Sequence, residues 1–215
     1  MNRRFSLSVT RLLAALLLLP FLAGAQTLTR YDAQPGSKVK LEGTSTIHDW
    51  TMEGQIIGGS FEADPAFQLG PDLKPGKINA RAQVAIPVRT IKSGKNSMDS
   101  VMQQAMKQAD FPKIEYRLTE LTFKAAPTAP ATAYQFDAQG ELTVAGVTNK
   151  VSMPVTMEKG ENSRLKISGR TPIKMTAYGV TPPAPALAAG LIKTGDEVKI
   201  SFDWNVAVKV AEKSQ

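Results

Sequence analysis

The feature that most limits the possible folds is a strict alternation of apolar and polar residues near the carboxyl end. Seven apolar side chains occupy every second position from Val198 to Val210, and most residues between them are polar. A period of two predicts a β-strand with one buried face. Shorter segments with the same period recur along the chain, so we expect an antiparallel all-β fold.

Three of these segments carry more detailed predictions. Ile78–Val88 holds one apolar phase and predicts a long strand with small residues on one face. Ile114–Phe123 predicts another strand, and a phase slip between Leu118 and Leu121 indicates a bulge. Apolar alternation on both sides of Gly146–Asn149 predicts a hairpin that turns there.

The number and spacing of the strands favour a closed barrel over a sandwich. Roughly eight strands with short turns can be recognised, and closure of the sheet leaves no unpaired edge. Eight strands enclose an interior that either is filled by side chains or holds one ligand. The predicted fold is therefore an antiparallel eight-stranded β-barrel with one amphipathic α-helix. We recognise neither an internal repeat nor a second domain.

The predicted helix lies between Gly94 and Pro112. Asn96 or Ser97 is positioned to cap its start, and Asp99 falls in the first turn, where a negative charge is favourable. Apolar residues recur there at intervals of three and four and form one stripe: Met98, Val101, Met102, Ala105, Met106 and Ala109. Methionine suits irregular apolar surfaces, so the stripe either plugs the barrel core or borders a cavity for an apolar ligand.

The amino terminus has the pattern of a secretory signal. Arg3, Arg4 and Arg11 form the basic part, Leu12–Leu22 the apolar part, and Ala23–Ala25 an A-x-A cleavage site. We expect residues 1–25 to be removed and residues 26–215 to form one exported domain, with a bacterial periplasm as the expected compartment. The apolar part is too short to span a bilayer. Without a cysteine there is no lipid attachment site, so no stable membrane anchor is expected after cleavage.

Composition excludes several functional classes. Loss of the three signal arginines lowers the formal net charge from +7 to +4, and no basic stripe with interleaved aromatics indicates nucleic acid. One histidine and no cysteine leave no Cys–His pair and no multi-histidine metal site. His48 is therefore interpreted as a strand residue, and Asp196 and Glu197 as solvated residues of a turn. We expect neither an enzyme nor a cofactor; a homodimer remains open.

Four segments together resemble the YceI-like family. Ala109–Tyr116 resembles its A-D-F-P-x-I-x-Y signature, and Val84–Ser93 the strand that enters its helix. Gly140–Thr148 is similar to its G-x-L-T hairpin, and Gly43–Trp50 to the first-strand motif of one branch. The resemblance implies a lipocalin-like barrel and a periplasmic carrier of a polyisoprenoid or similar amphiphilic lipid. The alternative is a structural or partner-binding barrel with a filled core.

Ligand-lining candidates follow from the apolar phases of the predicted strands and helix. A barrel that holds a lipid needs an apolar lumen, so apolar side chains at the inward positions are the ones expected to contact it. The candidates are Trp50, Met52, Val84, Ile86, Met102, Met106, Phe111, Tyr116, Leu142, Val144, Phe202 and Trp204.

Two further segments bear on the mouth of such a barrel. Arg89, Lys92 and Lys95 recur every three residues and are either solubilising charges or a site for an anionic head group. Thr181–Gly190 contains three prolines and four alanines but no charge, so it is either a surface linker or a partial lid anchored by Leu187.

Overall fold

The computed structural model describes residues 27–161, 163–184 and 192–208. These residues form eleven strands, one α-helix (α1, Asn96–Ala105) and two 3₁₀ helices (Val88–Thr90 and Met175–Tyr178). None of the described helices has the length and apolar character needed to cross a bilayer. The strands are β1 (Thr29–Ala33), β2 (Lys38–Ser45), β3 (Trp50–Gly54), β4 (Gly58–Ala63), β5 (Gly76–Ile78), β6 (Ala80–Pro87), β7 (Lys113–Ala125), β8 (Tyr134–Val144), β9 (Val147–Lys159), β10 (Arg164–Lys174) and β11 (Thr194–Val208).

The strands form a closed antiparallel barrel. Eight of them follow one another in the order β1-β4-β6-β7-β8-β9-β10-β11, and β11 pairs back onto β1. β2 continues the line of β1 along β11, β3 pairs with β2, and β5 adds to β7. This arrangement confirms the predicted eight-stranded barrel with its helix.

A two-residue offset separates β1 from β2. Ala33 of β1 pairs with Val206, and Lys38 of β2 pairs with Asp203. The chain thus advances five residues from β1 to β2 while β11 advances only three. Gly36, with φ of 86°, permits the extra turn. The buried Ser37 hydroxyl donates to the Gln34 carbonyl at 2.9 Å and accepts from the Asn205 amide at 3.0 Å. These bonds replace the ladder contacts that the offset removes.

The strand predicted over Ile78–Val88 is interrupted in the structure. β5 ends at Ile78, β6 begins at Ala80, and Val88 opens a 3₁₀ helix. The break matches the bulge in β7, where the register with β8 shifts between Leu118 and Glu120. Five steps from Ile78 to Gln83 match only four from Leu121 to Arg117, so Asn79 is an extra residue and β5 and β6 pair with β7 in different registers. The predicted bulge in β7 is confirmed by its register shift with β8, and the single long strand is wrong.

The β8–β9 hairpin is confirmed, but its turn is shorter than predicted. Val144 pairs with Val147, which leaves Ala145 and Gly146 as the only turn residues. Their φ values are 50° and 82°, the positive pair that a two-residue hairpin turn of type I′ requires. The placement of the turn over Gly146–Asn149 is therefore wrong, because Thr148 and Asn149 already belong to β9.

Aromatic side chains fill the end of the barrel where β7 finishes. Phe123 on β7 and Phe136 on β8 have ring centroids 5.1 Å apart. Phe67, from the loop after β4, inserts between Phe136 and Phe61 at 6.2 and 6.1 Å. All four rings are buried, so this end holds a conventional close-packed core.

Helix α1 lies at the opposite end, where β7 begins. It starts one residue after Lys95, whose side chain makes no capping bond, so the predicted cap at Asn96 or Ser97 is wrong. It ends at Ala105, and Lys107 adopts a left-handed φ of 52°, which leaves Ala109 outside the helix. The Glu53–Lys92 bridge ties the segment before the helix to β3.

The carboxylate of Asp99 holds the helix start in place. Asp99 is 5% exposed and accepts hydrogen bonds from both the amide and the hydroxyl of Ser93, each at 2.7 Å. The Lys92 ammonium lies 3.6 Å from its other oxygen. Burial alone would raise the pKa of Asp99, but the Ser93 bonds and the Lys92 charge together hold it below its ordinary value.

We therefore expect Asp99→Ala to destabilise the protein by about 2 kcal/mol at pH 7, because it removes the acceptor of two partly buried Ser93 hydrogen bonds and the partner of Lys92. A lowered carboxyl pKa gives stability that is present above pH ~4 and is lost as the pH falls through the folded-state value. The difference from the wild type should therefore shrink towards pH 3. Urea unfolding at pH 7 and pH 3 measures this difference in the free energy of unfolding. Asp72→Ala, at an exposed residue, is the control. A difference independent of pH would contradict the role of the charge.

Candidate ligand-binding cavities

An apolar cavity of ≈ 330 Å³, here called the outer cavity, lies between the helix and the barrel. Met98, Val101, Met102, Ala105 and Met106 face it from the helix side, so five members of the predicted stripe border open space. Strand residues form the opposite wall: Leu41, Trp50, Met52, Ile114, Val144, Ile173, Val198 and Ile200. The Met-rich face therefore covers a cavity at this end.

The second 3₁₀ helix completes the wall of the outer cavity. Met175, Tyr178 and Val180 border the cavity, and Asp196 holds their segment by accepting bonds from the Thr176 amide at 2.9 Å and hydroxyl at 2.7 Å. These bonds lower the pKa of Asp196. Asp196 thus has a positioning role. Asp196 and Glu197 both lie in β11, so their expected place in a turn is wrong, whereas Glu197 is exposed as expected.

Polar side chains occupy only part of the outer cavity wall. Ser45, His48, Lys95, Ser97 and Thr194 border it beside the apolar residues. His48 is exposed and lies in the loop between β2 and β3, so its interpretation as a strand residue is wrong. Its Nδ1 lies 2.8 Å from the Asp49 carbonyl oxygen. Its Nδ1–H thus donates to the backbone in the neutral ring. In the part of the chain that the structure describes, no group of three acidic or histidine side chains could hold a metal ion.

A second apolar cavity of ≈ 110 Å³, the inner cavity, lies deeper in the barrel. Its wall reaches Phe61 of the aromatic end and contains no charged residue. Leu41, Ile114 and Ile200 border both cavities, so these three side chains mark the boundary between them. The barrel therefore contains a filled end, an inner cavity and a helix-covered outer cavity in sequence along its axis.

Aromatic rings of the cavity walls rest against glycines. A Cβ on Gly140 would lie 2.5 Å from the Oη of Tyr116, and a Cβ on Gly169 would lie 2.8 Å from the ring of Phe202. The Trp50 ring lies in the same way over Gly43. Each ring occupies the space that a neighbouring side chain would take, which keeps it flat against the wall of the barrel.

Two polar atoms in the inner cavity wall lack a partner. Among the described residues, the Tyr116 hydroxyl and the Trp204 indole nitrogen are the buried side-chain polar atoms without a hydrogen bond. Trp204 is 3% exposed, and burial raises the pKa of Tyr116 to about 12. Both side chains border the inner cavity. Buried polar groups normally find a partner, so this pair needs an explanation.

Eleven of the twelve predicted lining residues border one of the two cavities. Trp50, Met52, Met102, Met106 and Val144 border the outer cavity. Those that border the inner cavity are Val84, Ile86, Tyr116, Leu142, Phe202 and Trp204. Their contact with a ligand stays a prediction.

Phe111 is the predicted lining residue that the structure places elsewhere. It borders neither cavity, is 39% exposed, and lies within 2.5 Å of the position that a Cβ on Gly146 would take. The ring packs on the β8–β9 turn, over Gly146. The prediction that Phe111 lines the cavity is therefore wrong.

Sequence reasoning missed the wall formed after β10. Met175, Tyr178 and Val180 border the outer cavity from a segment without strand or helix periodicity, whereas Pro183 borders it from within the segment predicted as a linker or lid. The apolar character of this segment was the available signal. Leu187 and residues 185–191 lie outside the described residues, so the lid hypothesis for Thr181–Gly190 stays a prediction.

The three predicted mouth cations separate in the structure. Lys95 borders the outer cavity, Lys92 pairs with Asp99, and Arg89 is exposed and borders neither cavity. A joint head-group site of all three is therefore wrong, and only Lys95 lies where an anion in the outer cavity could meet it.

Sequence comparison identifies the family. The profile of the YceI-like domain matches residues 31–206, which is most of the chain. The chain belongs to the YceI-like family. This YceI-like domain spans the whole barrel from β1 to β11, so both cavities lie within it. Among curated protein sequences, none matches the chain significantly.

Solved structures share the fold of this YceI-like chain. BcnA of Burkholderia cenocepacia is 20% identical, with a TM-score of 0.59 over 79% of this chain and 95% of BcnA. A polyisoprenoid-binding domain from Saccharophagus degradans, implicated in plant cell wall breakdown, is 14% identical. Its TM-score is 0.60 over 84% of this chain and 99% of that domain. At these identities the likeness establishes the fold.

The close packing of these aromatic rings against glycines leads to a stability prediction. Gly140→Ala should cost about 1–3 kcal/mol, because the new methyl group meets both the Tyr116 ring and the Arg117 carbonyl oxygen, each at 2.5 Å. Gly70→Ala is the control, since no heavy atom lies within 4 Å of the position that its new methyl group would take. We expect it to change stability by less than about 0.5 kcal/mol. Equal midpoints in urea unfolding would contradict the seating of Tyr116.

Proposed function

We propose that this YceI-like protein is an exported, periplasmic carrier that binds a long-chain isoprenoid or similar amphiphilic lipid without catalysing a reaction. The outer cavity carries the proposal. Its volume of ≈ 330 Å³ falls within the range of about 300–1,000 Å³ that small-molecule sites occupy. The family relationship and the polyisoprenoid-binding domain of similar fold support the same ligand class.

Open space inside a protein lowers its stability. Interiors are close-packed, and an apolar void costs stability roughly in proportion to its volume. Here open space lies beneath a helix whose methionines could fill it by a change of rotamer. A cavity kept open despite such adaptable side chains is explained by the need to admit a ligand.

Chain length would supply the affinity. Each buried CH₂ group contributes about 0.8 kcal/mol, so an apolar chain that continues from the outer into the inner cavity gains affinity with every carbon. Leu41, Ile114 and Ile200 are flexible aliphatic side chains at the boundary, and small rotations of them would join the cavities. Catalytic groups are not needed for this function.

The filled-core alternative describes one end of the molecule. Phe61, Phe67, Phe123 and Phe136 close-pack where β7 ends, as a structural barrel would require. The helix end carries the larger cavity instead. The packed end is therefore best understood as the floor of a binding site.

Mass spectrometry tests the function directly. We expect organic extracts of the protein, expressed from its complete sequence and purified from a bacterial periplasm, to contain a long-chain amphiphile that is absent from a mock purification. The washed protein should also take up added prenols of fifteen or more carbons, on the order of one per chain, because the cavity wall is apolar. Extracts without such a lipid, together with no uptake, would refute the proposal.

The helix face offers a second test. Met102→Lys/Met106→Lys places two charges in the outer cavity wall and should lower prenol uptake at least tenfold, because burying an unpaired charge is unfavourable. The matched control, Ser100→Lys/Gln104→Lys, adds the same charges at exposed helix positions. Circular dichroism checks that both variants fold. Full uptake by a folded Met102→Lys/Met106→Lys protein would place the site elsewhere.

A further inference from the structure

The two unpartnered atoms of the inner cavity wall are both hydrogen-bond donors. The indole nitrogen of Trp204 can only donate, and the hydroxyl of Tyr116 donates or accepts. Tyr116 lies on β7 and Trp204 on β11. Three strands lie between β7 and β11 in either direction around the barrel. The two donors thus lie on opposite walls of the barrel.

Protein groups do not account for this pair. The wall of the inner cavity is otherwise apolar apart from Thr171, whose hydroxyl lies 3.4 Å from the Pro172 carbonyl oxygen. An internal water needs two to four polar partners, and this wall offers it little beyond two donors. Each unmet donor destabilises the folded protein, because the loss of its hydration is not repaid by a hydrogen bond. Phenylalanine would fit both positions without that cost.

The missing partner is therefore an acceptor atom that arrives with a ligand. A charged head group does not suit the site, because none of the residues that border the inner cavity carries a charge to offset its desolvation. A neutral oxygen does suit it: a carbonyl, ether or hydroxyl oxygen accepts from either donor. The hydrocarbon chain would then extend past Leu41 and Ile200 into the outer cavity.

Building on the proposed carrier function, we infer that the ligand is an amphiphile whose neutral, oxygen-bearing end lies in the inner cavity. Tyr116 Oη or Trp204 Nε1 donates to that oxygen. These two residues thereby set specificity for an oxygenated lipid over a plain hydrocarbon and fix its direction in the barrel. Lys95, at the outer cavity, marks the opposite orientation, in which an anionic head remains at the mouth.

Three probes of equal chain length separate these orientations: pentadecane, 2-pentadecanone and pentadecanoate. Their affinities are measured by displacement of the fluorescent dye N-phenyl-1-naphthylamine from the full-length protein. We expect the wild type to prefer the ketone to the alkane about tenfold, the value of one net hydrogen bond. Tyr116→Phe and Trp204→Phe should each reduce the preference, and the double variant should abolish it while pentadecane affinity changes less than about twofold.

Tyr31→Phe is the matched control. It removes a hydroxyl from a barrel strand at a residue that borders neither cavity, so the ketone preference should remain. Equal binding of ketone and alkane by the wild type would overturn the inference and leave the carrier function standing. If the wild type instead prefers pentadecanoate and Lys95→Gln removes that preference, the polar head lies at the outer cavity beside Lys95. That result would overturn the inference. Failure of all three probes to displace the dye would refute the carrier function as well.

A stability measurement gives an independent check. Removing a buried hydroxyl without a partner relieves its desolvation cost, so Tyr116→Phe should raise the melting temperature of the protein without added lipid. Adding 2-pentadecanone should stabilise the wild type more than this variant, because ligand binding shifts unfolding in proportion to affinity. A lower melting temperature for Tyr116→Phe would mean that the hydroxyl has a protein partner, which would overturn the inference.

Discussion

Antiparallel pairing between β1 and β11 closes the sheet, and every cavity described above depends on that closure. β11 pairs with β10 along one side and with β2 and then β1 along the other. The two-residue offset between β1 and β2 would leave this seam with unmet backbone groups. Ser37 supplies the missing bonds, so a small polar residue in an apolar barrel is part of what holds it shut.

Closure leaves two open ends, which the chain treats differently. Rigid aromatic rings close-pack at one end, with Phe67 inserted from a loop. The other end is covered by a ten-residue helix whose inner face, together with Met106 just after it, carries three methionines. The Asp99 carboxylate holds the start of this helix. Stiff packing suits a floor, and flexible thioether side chains suit a surface that must fit irregular shapes. The difference in side-chain chemistry thus matches the difference in role.

Much of this arrangement could be predicted from the sequence because its causes are local. Alternation in β7 and β11, the bulge near Thr119 and the helix stripe all follow from residue spacing. Details set by distant contacts could not be predicted. Asp196 acts through Thr176, twenty residues away, and the break at Asn79 reflects the register of a neighbouring strand. Phe111 matched the pattern of a lining residue, but the seat for its ring is Gly146, which only the folded hairpin brings near.

The boundary formed by Leu41, Ile114 and Ile200 has a kinetic consequence. Under the proposed carrier function, a short chain would fit within the outer cavity and would leave without disturbing these side chains. A longer chain would have to push them aside on entry and again on exit, so its exchange would carry an additional barrier. The barrel would then distinguish ligands by residence time as well as by affinity, retaining long chains while short ones equilibrate with their surroundings.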